Sequence, residues 1–472
     1  MRPLIRAAGI VILGMLALTN AAFSQPNDAG DEAIELLRQV HQATRENYGP
    51  DHPKTFESTR QLAKVLAASR RADEAAALLR DTVALSEKRW GARHPETVEL
   101  KTALAHLLLM SSADIAKKVE LAEPIDPRTL GREGSRRRVA SAIRSGLAWL
   151  ERHQADDGRW DADAKGQTDF PDGGGALNDI GVTGLSLLAL MGDESSSREG
   201  GHEKAINRGL AYLIRVQDDD GLIGGRVGQH YMYNHGIASL ALCEALLSGH
   251  EDIRPACQRA VNFIHKSRNP YAAWRYDSPP SGDNDTSVTG WMLRTLATAK
   301  KAKLDVDEAA IDGGLSWIEQ ATDPETGRTG YNSRGGVSAR ETGMMDEFPP
   351  DAVEAMTAVG LNSRMLFDRK KNKEVIAKGA KLLMKSLPSW NEKAGTCDMT
   401  YWHFGTLASR HLGTDLWRRW SSSLLDAVLP HQREGGEAVA GSWDPVGPWG
   451  ASGGRVYSTA TMVLSLQETQ ER

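Results

Sequence analysis

The chain has 472 residues, of which 40% are hydrophobic, 25% are charged and only 6% are aromatic. This composition is ordinary for globular protein and leaves room for two or three domains. The formal net charge of −5 excludes a strongly basic protein, so the sequence does not favour nucleic acid as a partner.

The first 24 residues have the pattern of an export signal. Arg2 and Arg6 precede a short apolar run over residues 7–18, and a small-x-small cleavage site follows, immediately before Gln25. The apolar run is too short to span a bilayer comfortably. We therefore expect residues 1–24 to be a cleaved signal peptide and the mature chain to be periplasmic or secreted, with no transmembrane segment. An uncleaved interfacial anchor is the alternative.

Two copies of a 42-residue unit come next. The spacing relates Glu32 to Glu74, Tyr48 to Trp90 and His52 to His94. Each unit has a long amphipathic helix, a Gly-containing turn closed by His-Pro, and a second helix that begins at the proline. The pattern resembles the tetratricopeptide repeats of kinesin light chains, and we assign residues 25–112 to it. Two copies are fewer than such arrays normally need to be stable alone, so a protein partner is expected here.

Residues 113–138 have two prolines, scattered charge and no sustained period, so we assign them to a linker. Six helical hairpins of a second kind fill residues 139–472. Each first helix has apolar residues at three-and-four spacing, whereas each second helix is rich in small and apolar residues all round. Six such hairpins bury all of their apolar sides only if the last packs on the first. The predicted fold is therefore all-α, an α6/α6 toroid with the second helices inside.

One motif carries a family resemblance. The string Leu150-x3-Gln154-x3-Gly158-x-Trp160 resembles the Gln-Trp motif of squalene and triterpene cyclases, whose toroid the β-subunits of protein prenyltransferases share. Other strings, over residues 233–238, 285–291 and 453–457, are most similar to exported bacterial proteins with prenyltransferase and squalene-oxidase-type repeats. We expect the glutamine to bond the free backbone groups at the end of its helix. The tryptophan is expected to cover that bond and to dock on the adjacent hairpin.

The resemblance implies two kinds of chemistry, and the residues depart from both. Triterpene cyclases protonate their substrate with the central Asp of Asp-x-Asp-Asp-Thr, and Asn284 aligns with that position in Gly-Asp-Asn-Asp-Thr. A register shifted by one leaves Asp283 or Asp285 as the catalytic acid. Prenyltransferase β-subunits bind zinc through Asp, Cys and His, for which Cys397-Asp398 and His403 are the nearest approximation. We therefore predict no metal and no cofactor.

The loops that enter the six inner helices open on one end of the ring, and their polar side chains are the candidate site. The positive ends of the helices also point there, which favours a hydroxyl-rich or anionic ligand. Asn178, Asp285 and Thr286 are explained as helix caps. The residues predicted to bind a small ligand are Asp179, Tyr233, His235, Glu341, Tyr401, His403 and Tyr457. The segment 333–350 is either a lid over this mouth or a disordered loop.

Three functions remain open from the sequence. The first is a ligand-binding toroid that lacks catalysis, with the tetratricopeptide segment as its docking module. The second is a cyclase, isomerase or lyase acting on an isoprenoid, which requires a dry, apolar cavity and a carboxylic acid. The third is a carbohydrate-active toroid, which requires a wet cleft with two facing carboxylates. The sequence does not decide whether the protein is an enzyme.

Overall fold

The computed structural model of the chain divides into two compact units, residues 1–118 and 119–472. It describes residues 28–68, 71–91, 133–163, 176–193, 201–228, 230–270, 272–340, 343–367 and 372–470, together with His94, Thr97, Leu100, Lys101 and Leu104. The predicted signal peptide and most of the predicted linker lie outside these residues. None of the helices within these ranges is long and apolar enough to cross a membrane.

The first unit contains three described helices, α1 (Asp28–Tyr48), α2 (Pro53–Ala68) and α3 (Ala72–Trp90). The second helix begins at the proline, as the sequence predicts. The two turns repeat one aromatic contact, because Tyr48 stacks on His52 at 5.1 Å and Trp90 on His94 at 4.6 Å between ring centroids. The 42-residue sequence period is therefore also a structural period.

The second unit is a sequence of twelve α-helices that alternate between an outer and an inner position among the described residues. The outer helices are α4 (Glu133–Arg152), α6 (Glu203–Arg215), α8 (Arg254–Lys266), α10 (Glu308–Ala321), α12 (Lys373–Lys385) and α14 (Thr414–Val428). The inner helices are α5 (Asp179–Met191), α7 (Tyr231–Leu247), α9 (Thr286–Lys301), α11 (Ala355–Phe367), α13 (Met399–Ser409) and α15 (Gly450–Gln467). The first outer helix begins at Glu133, ahead of the start at residue 139 that the apolar period indicates, because its first turns carry no apolar residue.

The inner helices form a closed ring, since each packs on both neighbours and α15 packs on α5. Nearly every inner-helix residue is buried, which explains why these helices are small and apolar all round. Nε2 of Gln467, at the end of α15, donates to the carbonyl of Ala189 in α5 at 2.8 Å. The predicted toroid is confirmed.

Glutamines join each of three outer helices to the next hairpin. Nε2 of Gln154 donates to the carbonyls of Gly158 at 2.8 Å and Ala205 at 2.9 Å, and Ala205 belongs to the following outer helix. Equivalent bonds run from Gln217 to Gly221 and Ala256, and from Gln432 to Gly441 and Ala142. The last of these glutamines reaches the first hairpin and closes the ring.

Tryptophan, and not glutamine, bonds the free carbonyl in the last turn of the outer helix. Nε1 of Trp160 donates to the carbonyl of Leu150 at 2.7 Å. Trp274 and Trp443 make the same bond to Ile264 and Val428. The expectation that the glutamine makes this bond was wrong. The glutamine side chain extends to the next hairpin, whereas the tryptophan side chain folds back onto the outer helix of its own hairpin.

The tryptophan rings dock where the next outer helix has a glycine. A Cβ atom on Gly209 would stand 3.1 Å from the ring of Trp160, and one on Gly146 would stand 3.2 Å from that of Trp443. Gly146 is in the first outer helix and Trp443 follows the last. Glycines in the outer helices therefore leave space for the tryptophan side chains. This holds also at the junction where the last hairpin of the toroid meets the first.

A substitution at this closing junction tests whether the ring is closed. Gly441 has φ +94°, and a Cβ atom there would lie 2.3 Å from the carbonyl oxygen of Ser145 in α4. Gly436 in the same loop has φ +83°, but its nearest neighbour, a methyl group of Val439, is 3.6 Å away. Both Gly→Ala changes incur the left-handed backbone cost of about 1 kcal/mol. We expect Gly441→Ala to lower the free energy of unfolding by at least roughly 3 kcal/mol, because backbone must also move.

The measurement is urea unfolding of the two variants followed by circular dichroism. Gly436→Ala is the matched control for the positive φ. Equal losses in the two variants would show that residue 441 does not press on the first outer helix, and would contradict a closed ring.

Candidate functional site

The inner helices surround a central cavity, with about 990 Å³ of empty space once the open solvent at its mouth is included. All six run in the same direction, so their N-terminal ends meet at one end of the ring. The surface of the wall is mainly apolar, and beyond the first helical turn it includes Leu185, Ile237, Trp291, Val359 and Phe404. The cavity therefore has an apolar interior, and its polar groups lie mainly at the N-terminal end.

One polar group at this end joins α7 to α9. The hydroxyls of Tyr233 and Ser287 are 2.5 Å apart, and Ser287 donates to Oδ1 of Asp285 at 2.9 Å. Tyr233 and Ser287 line the cavity, whereas Asp285 lies behind them. Burial raises the pKa of Tyr233 well above its usual value, so its hydroxyl stays protonated.

Asp285 is the N-cap of α9, as the sequence predicts. Its Oδ1 accepts the backbone N–H of Val288 at 2.8 Å, while Oδ2 is buried without a hydrogen-bond partner. Burial raises the pKa of Asp285 to about 6, and the bonds from Val288 and Ser287 oppose the rise. The hydroxyl of Ser287 therefore lies between the Asp285 carboxyl group and the cavity.

A second polar group joins α13 to α15 and to the segment 333–350. Arg340 is one of the residues of the cavity wall, and its Nη2 is 3.4 Å from Oδ2 of Asp398. Asp398 is the N-cap of α13 and accepts the N–H of Tyr401 at 2.9 Å. Two residues further on, the hydroxyl of Thr400 is 2.8 Å from that of Tyr457. The described parts of 333–350 are packed on the toroid, because Arg340 and Phe348 of this segment are buried.

His403 lies deeper in the cavity wall, with its ring parallel to that of Trp291 at 6.2 Å between centroids. Burial, with the charge of Arg294 as a second cause, lowers the pKa of His403 to about 3. The imidazole is therefore neutral at physiological pH. It acts in the wall as an aromatic ring with polar edges.

Three of the predicted ligand-binding residues line the cavity, namely Tyr233, His403 and Tyr457. Their part in binding stays a prediction. Glu341 lies outside the described residues. The remaining three, which are Asp179, His235 and Tyr401, are placed elsewhere.

His235 has a structural position. Its Nδ1 accepts the backbone N–H of Ile223 at 3.1 Å, and Nε2 contacts the carbonyl of Ala260 at 3.2 Å. In four other hairpins a threonine hydroxyl accepts the equivalent N–H of the turn; these are Thr183, Thr289, Thr357 and Thr459. His235 therefore takes the place of a threonine that ties the turn to the inner helix, and its assignment to the pocket was wrong.

Tyr401 and Asp179 also face away from the cavity. The hydroxyl of Tyr401 donates to the carbonyl of Ser386 at 2.7 Å. Asp179 accepts the N–H of Ala162 at 3.0 Å and pairs with Arg159 at 3.2 Å. Burial raises the pKa of Asp179 to about 7. Both residues connect the start of an inner helix to a neighbouring loop, so neither is placed to bind a ligand in the ring.

The residues that align with the cyclase acid are not in the cavity wall. Asn284 accepts the N–H of Ala273 at 2.9 Å through its amide oxygen. Asp283 is 71% exposed and pairs with Arg275 at 3.2 Å. As a catalytic acid, Asp283 is therefore misplaced, and only Asp285 approaches the cavity. Within the described residues no carboxyl group lines it.

The zinc alternative has no support from the geometry. Asp398 is committed to its helix cap and to Arg340. Burial raises the pKa of Cys397 to about 12, so this thiol is protonated at physiological pH. Among the described residues, the one cluster of three or more His, Cys, Asp or Glu side chains close enough to share an ion is Asp161, Asp163 and Asp179. It lies beside Arg159 and outside the cavity wall.

Ser287 and Thr400 were missed by the sequence analysis. Each stands two residues after an Asp N-cap and pairs with a tyrosine of a neighbouring inner helix. The pattern Asp-x-Ser/Thr at the start of an inner helix would have identified both. Trp291 and Phe404 were missed because an aromatic residue in a buried helix has no sequence mark that distinguishes cavity wall from core.

Comparisons with known proteins agree with this architecture. Residues 15–88 match the tetratricopeptide repeat family, from a point ahead of the predicted cleavage site, and residues 175–336 match the squalene-hopene cyclase C-terminal domain. The squalene–hopene cyclase of Bradyrhizobium diazoefficiens is 27% identical over 198 residues, which is 38% of this chain and 28% of that protein. A probable squalene–hopene cyclase of Sinorhizobium fredii is 26% identical over 210 residues, 40% of this chain and 31% of that protein.

The chain thus spans less than a third of the length of these curated relatives. Among solved structures, a type II terpene cyclase from Scytonema, in complex with geranylgeranyl dihydroxybenzoate, has a TM-score of 0.44 at 13% identity over 72% of this chain and 99% of that one. The chain combines tetratricopeptide repeats, a kind of segment that suggests interaction with a protein, with a squalene cyclase-like toroid.

Replacing His235 by threonine, the residue used in the other hairpins, tests its structural role. Burial lowers the pKa of His235 to about 3, well below the 6.5 of an exposed histidine. The neutral form is therefore required, and its contribution to stability is lost as the pH falls below about 6.5. We expect the stability difference between wild type and His235→Thr to shrink by about 1.4 kcal/mol per pH unit from pH 6.5 to 5.

Urea unfolding of both proteins at pH 7, 6 and 5 measures this difference, and the comparison cancels the opposite pH dependence of Asp179 and Asp285. Ligand binding should be the same in the two proteins at pH 7. A pH-independent difference would show that His235 is not buried in neutral form.

Proposed function

We propose that the toroid binds an elongated, apolar molecule of the isoprenoid class in its central cavity and does not cyclise it. The observation that carries this proposal is the wall itself. It is mainly apolar and aromatic, with His403 and Thr461 among its polar residues beyond the first helical turn, and no carboxyl group lines it among the described residues. Burial of a hydrocarbon chain against such a wall is favourable at about 25 cal/mol per Å² of apolar surface.

The relatives support the class of ligand, since those reported above are squalene–hopene cyclases. Protonation of an alkene requires a strong acid in contact with it. Asn284 occupies the aligned position, and Asp285 is screened from the cavity by Ser287 and Tyr233. An amide or a tyrosine hydroxyl is too weak an acid to start the reaction.

The same wall argues against a carbohydrate ligand. Glycosidases place two carboxyl groups about 5–9.5 Å apart on either side of a wet cleft. Asp179 is tied to Arg159, Asp283 is exposed in a loop and Asp285 is the buried cap of α9. None of these three lines the cavity.

Squalene binding tests the proposal. Ile237→Trp fills the cavity from α7, whereas Leu464→Trp, a matched control on α15, places the same ring at a half-buried position outside the cavity wall. Native mass spectrometry should show squalene bound to wild type and to Leu464→Trp. We expect Ile237→Trp to weaken binding at least tenfold, about 1.4 kcal/mol, because the added ring occupies ligand volume.

Two results would contradict the proposal. Wild type that binds no squalene would remove the binding function. A cyclised product formed by wild type and lost in Asp285→Asn would show that Asp285 acts as an acid, and would support the cyclase alternative.

We also propose that the chain is exported, on the strength of the residues before Gln25. Expressed in a host with a secretory pathway, the protein should begin at Gln25 by intact mass. Ala22→Arg, which places a large charge at the small position of the cleavage site, should remain uncleaved. Phe23→Leu, at the middle position, should be processed like wild type. A wild-type chain that keeps residues 1–24 in the cytoplasm would refute export.

A further inference from the structure

The wall at the N-terminal end also holds Asn178 and Asn234, whose amides bond each other and the backbone. The two polar groups described above differ in what they offer a ligand. Ser287 donates to Asp285, and Tyr233 in turn contacts Ser287, so the protons of this group are committed toward the buried carboxyl. The group formed by Arg340, Thr400 and Tyr457 contains a guanidinium and two hydroxyls that contact each other. One bond between two hydroxyls uses only one of their two protons. This second group is therefore rich in donors.

Arg340 is fixed in place by two hydrogen bonds and an ion pair. Its side chain is 1% exposed, with Nε donating to the carbonyl of Phe348 at 2.9 Å and Nη1 to that of Ala339 at 3.0 Å. Nη2 of Arg340 and Oδ2 of Asp398 make no hydrogen bond, but they face each other at 3.4 Å as an ion pair. The charge of Arg340 is therefore directed at Asp398.

Two polar side chains of the same side of the ring lack a hydrogen-bond partner. Nδ1 of His403 on α13 and Oγ1 of Thr461 on α15 are buried without a hydrogen bond, and both residues line the cavity. No such unpartnered side chain comes from α5 or α7 in the described part of the wall. The buried polar atoms of the wall that lack a hydrogen bond are thus concentrated between α13 and α15.

The charges limit what kind of oxygen can bind there. Arg340 is the only lysine or arginine in the described wall, and Asp398 is 3.4 Å from it with a side-chain exposure of 0%. The pair is neutral overall. A carboxylate or diphosphate would therefore bring an uncompensated charge into an apolar cavity, which is strongly unfavourable. A hydroxyl, ketone or ether oxygen accepts a hydrogen bond without adding charge.

We propose that the ligand carries a single neutral oxygen acceptor at one end of its apolar chain, held by the hydroxyls of Thr400 and Tyr457. This inference rests on the proposed function, because it adds an orientation and a polar end to a chain bound in the same cavity. The apolar chain then lies against Trp291 and Phe404. The Tyr233 group on the opposite side contributes contact area and no donor.

Matched probes separate this inference from the function on which it rests. The probes are a C20 isoprenoid methyl ketone, the hydrocarbon in which CH₂ replaces its carbonyl, and geranylgeranyl diphosphate. For wild type we expect the ketone to bind at least fivefold more tightly than the hydrocarbon, as one buried hydrogen bond of about 1 kcal/mol allows. The diphosphate should bind more weakly than either.

Tyr457→Phe and Thr400→Val should reduce the preference for the ketone to less than twofold while leaving the affinity for the hydrocarbon unchanged. Tyr401→Phe is the matched control, since it removes a tyrosine hydroxyl that bonds Ser386 outside the cavity, and it should keep the full preference. Tyr233→Phe removes the tyrosine hydroxyl on the other side of the cavity. The unchanged hydrocarbon affinity also shows that each variant has an intact cavity.

Each outcome has one meaning. If wild type binds neither ketone nor hydrocarbon, the proposed function fails. If it binds both equally, or binds the diphosphate most tightly, the cavity binds isoprenoids but the neutral acceptor is overturned. If Tyr233→Phe abolishes the preference and Tyr457→Phe does not, the polar end of the ligand lies on the other side of the ring.

Discussion

The fold of the toroid depends on the contact between the turn of each hairpin and the outer helix of the next. At three junctions a glycine of the turn lies so close to a backbone carbonyl of the following outer helix that no side chain fits; these are Gly158, Gly221 and Gly441. A glutamine bridges the same two elements, and at the Gly158 and Gly441 junctions a tryptophan ring fills the space beneath. Because the contact is short and directional, it sets the angle between successive hairpins. Repeated at that angle, six hairpins return to their start.

Ring closure also explains why a site exists in this place. The chain alternates outer and inner helices, so all inner helices begin at the same end, and the residues that cap them converge there. The two Asp caps Asp285 and Asp398 are buried, and each positions a partner at the cavity, Ser287 in one case and Arg340 in the other. Asp285 and Asp398 therefore cap their helices and also position residues of the cavity wall. The apolar wall beyond them follows from the need of every inner helix to be covered on most sides.

Much of the fold could be predicted from the sequence, because a hairpin repeat leaves a period of apolar residues and a fixed spacing of Gln, Gly and Trp. The site could be predicted only in part. Tyr233, His403 and Tyr457 were found because large polar rings at helix starts are not explained as caps. His235 fits the same description, yet its side chain faces the turn of its own hairpin. Which side of an inner helix faces the turn depends on how the helix is rotated about its axis, and only the folded ring fixes that rotation. Cavity-wall aromatics such as Trp291 were missed for the related reason that wall and core have the same composition.

The central claim is that the closed ring encloses an apolar chain with its polar end toward α13 and α15. A crystal structure of the protein purified from its own cells without detergent tests it most directly. The account predicts continuous, elongated electron density along Trp291 and Phe404 that ends beside Tyr457. A cavity filled by ordered water from end to end, or density that ends beside Tyr233, would contradict it.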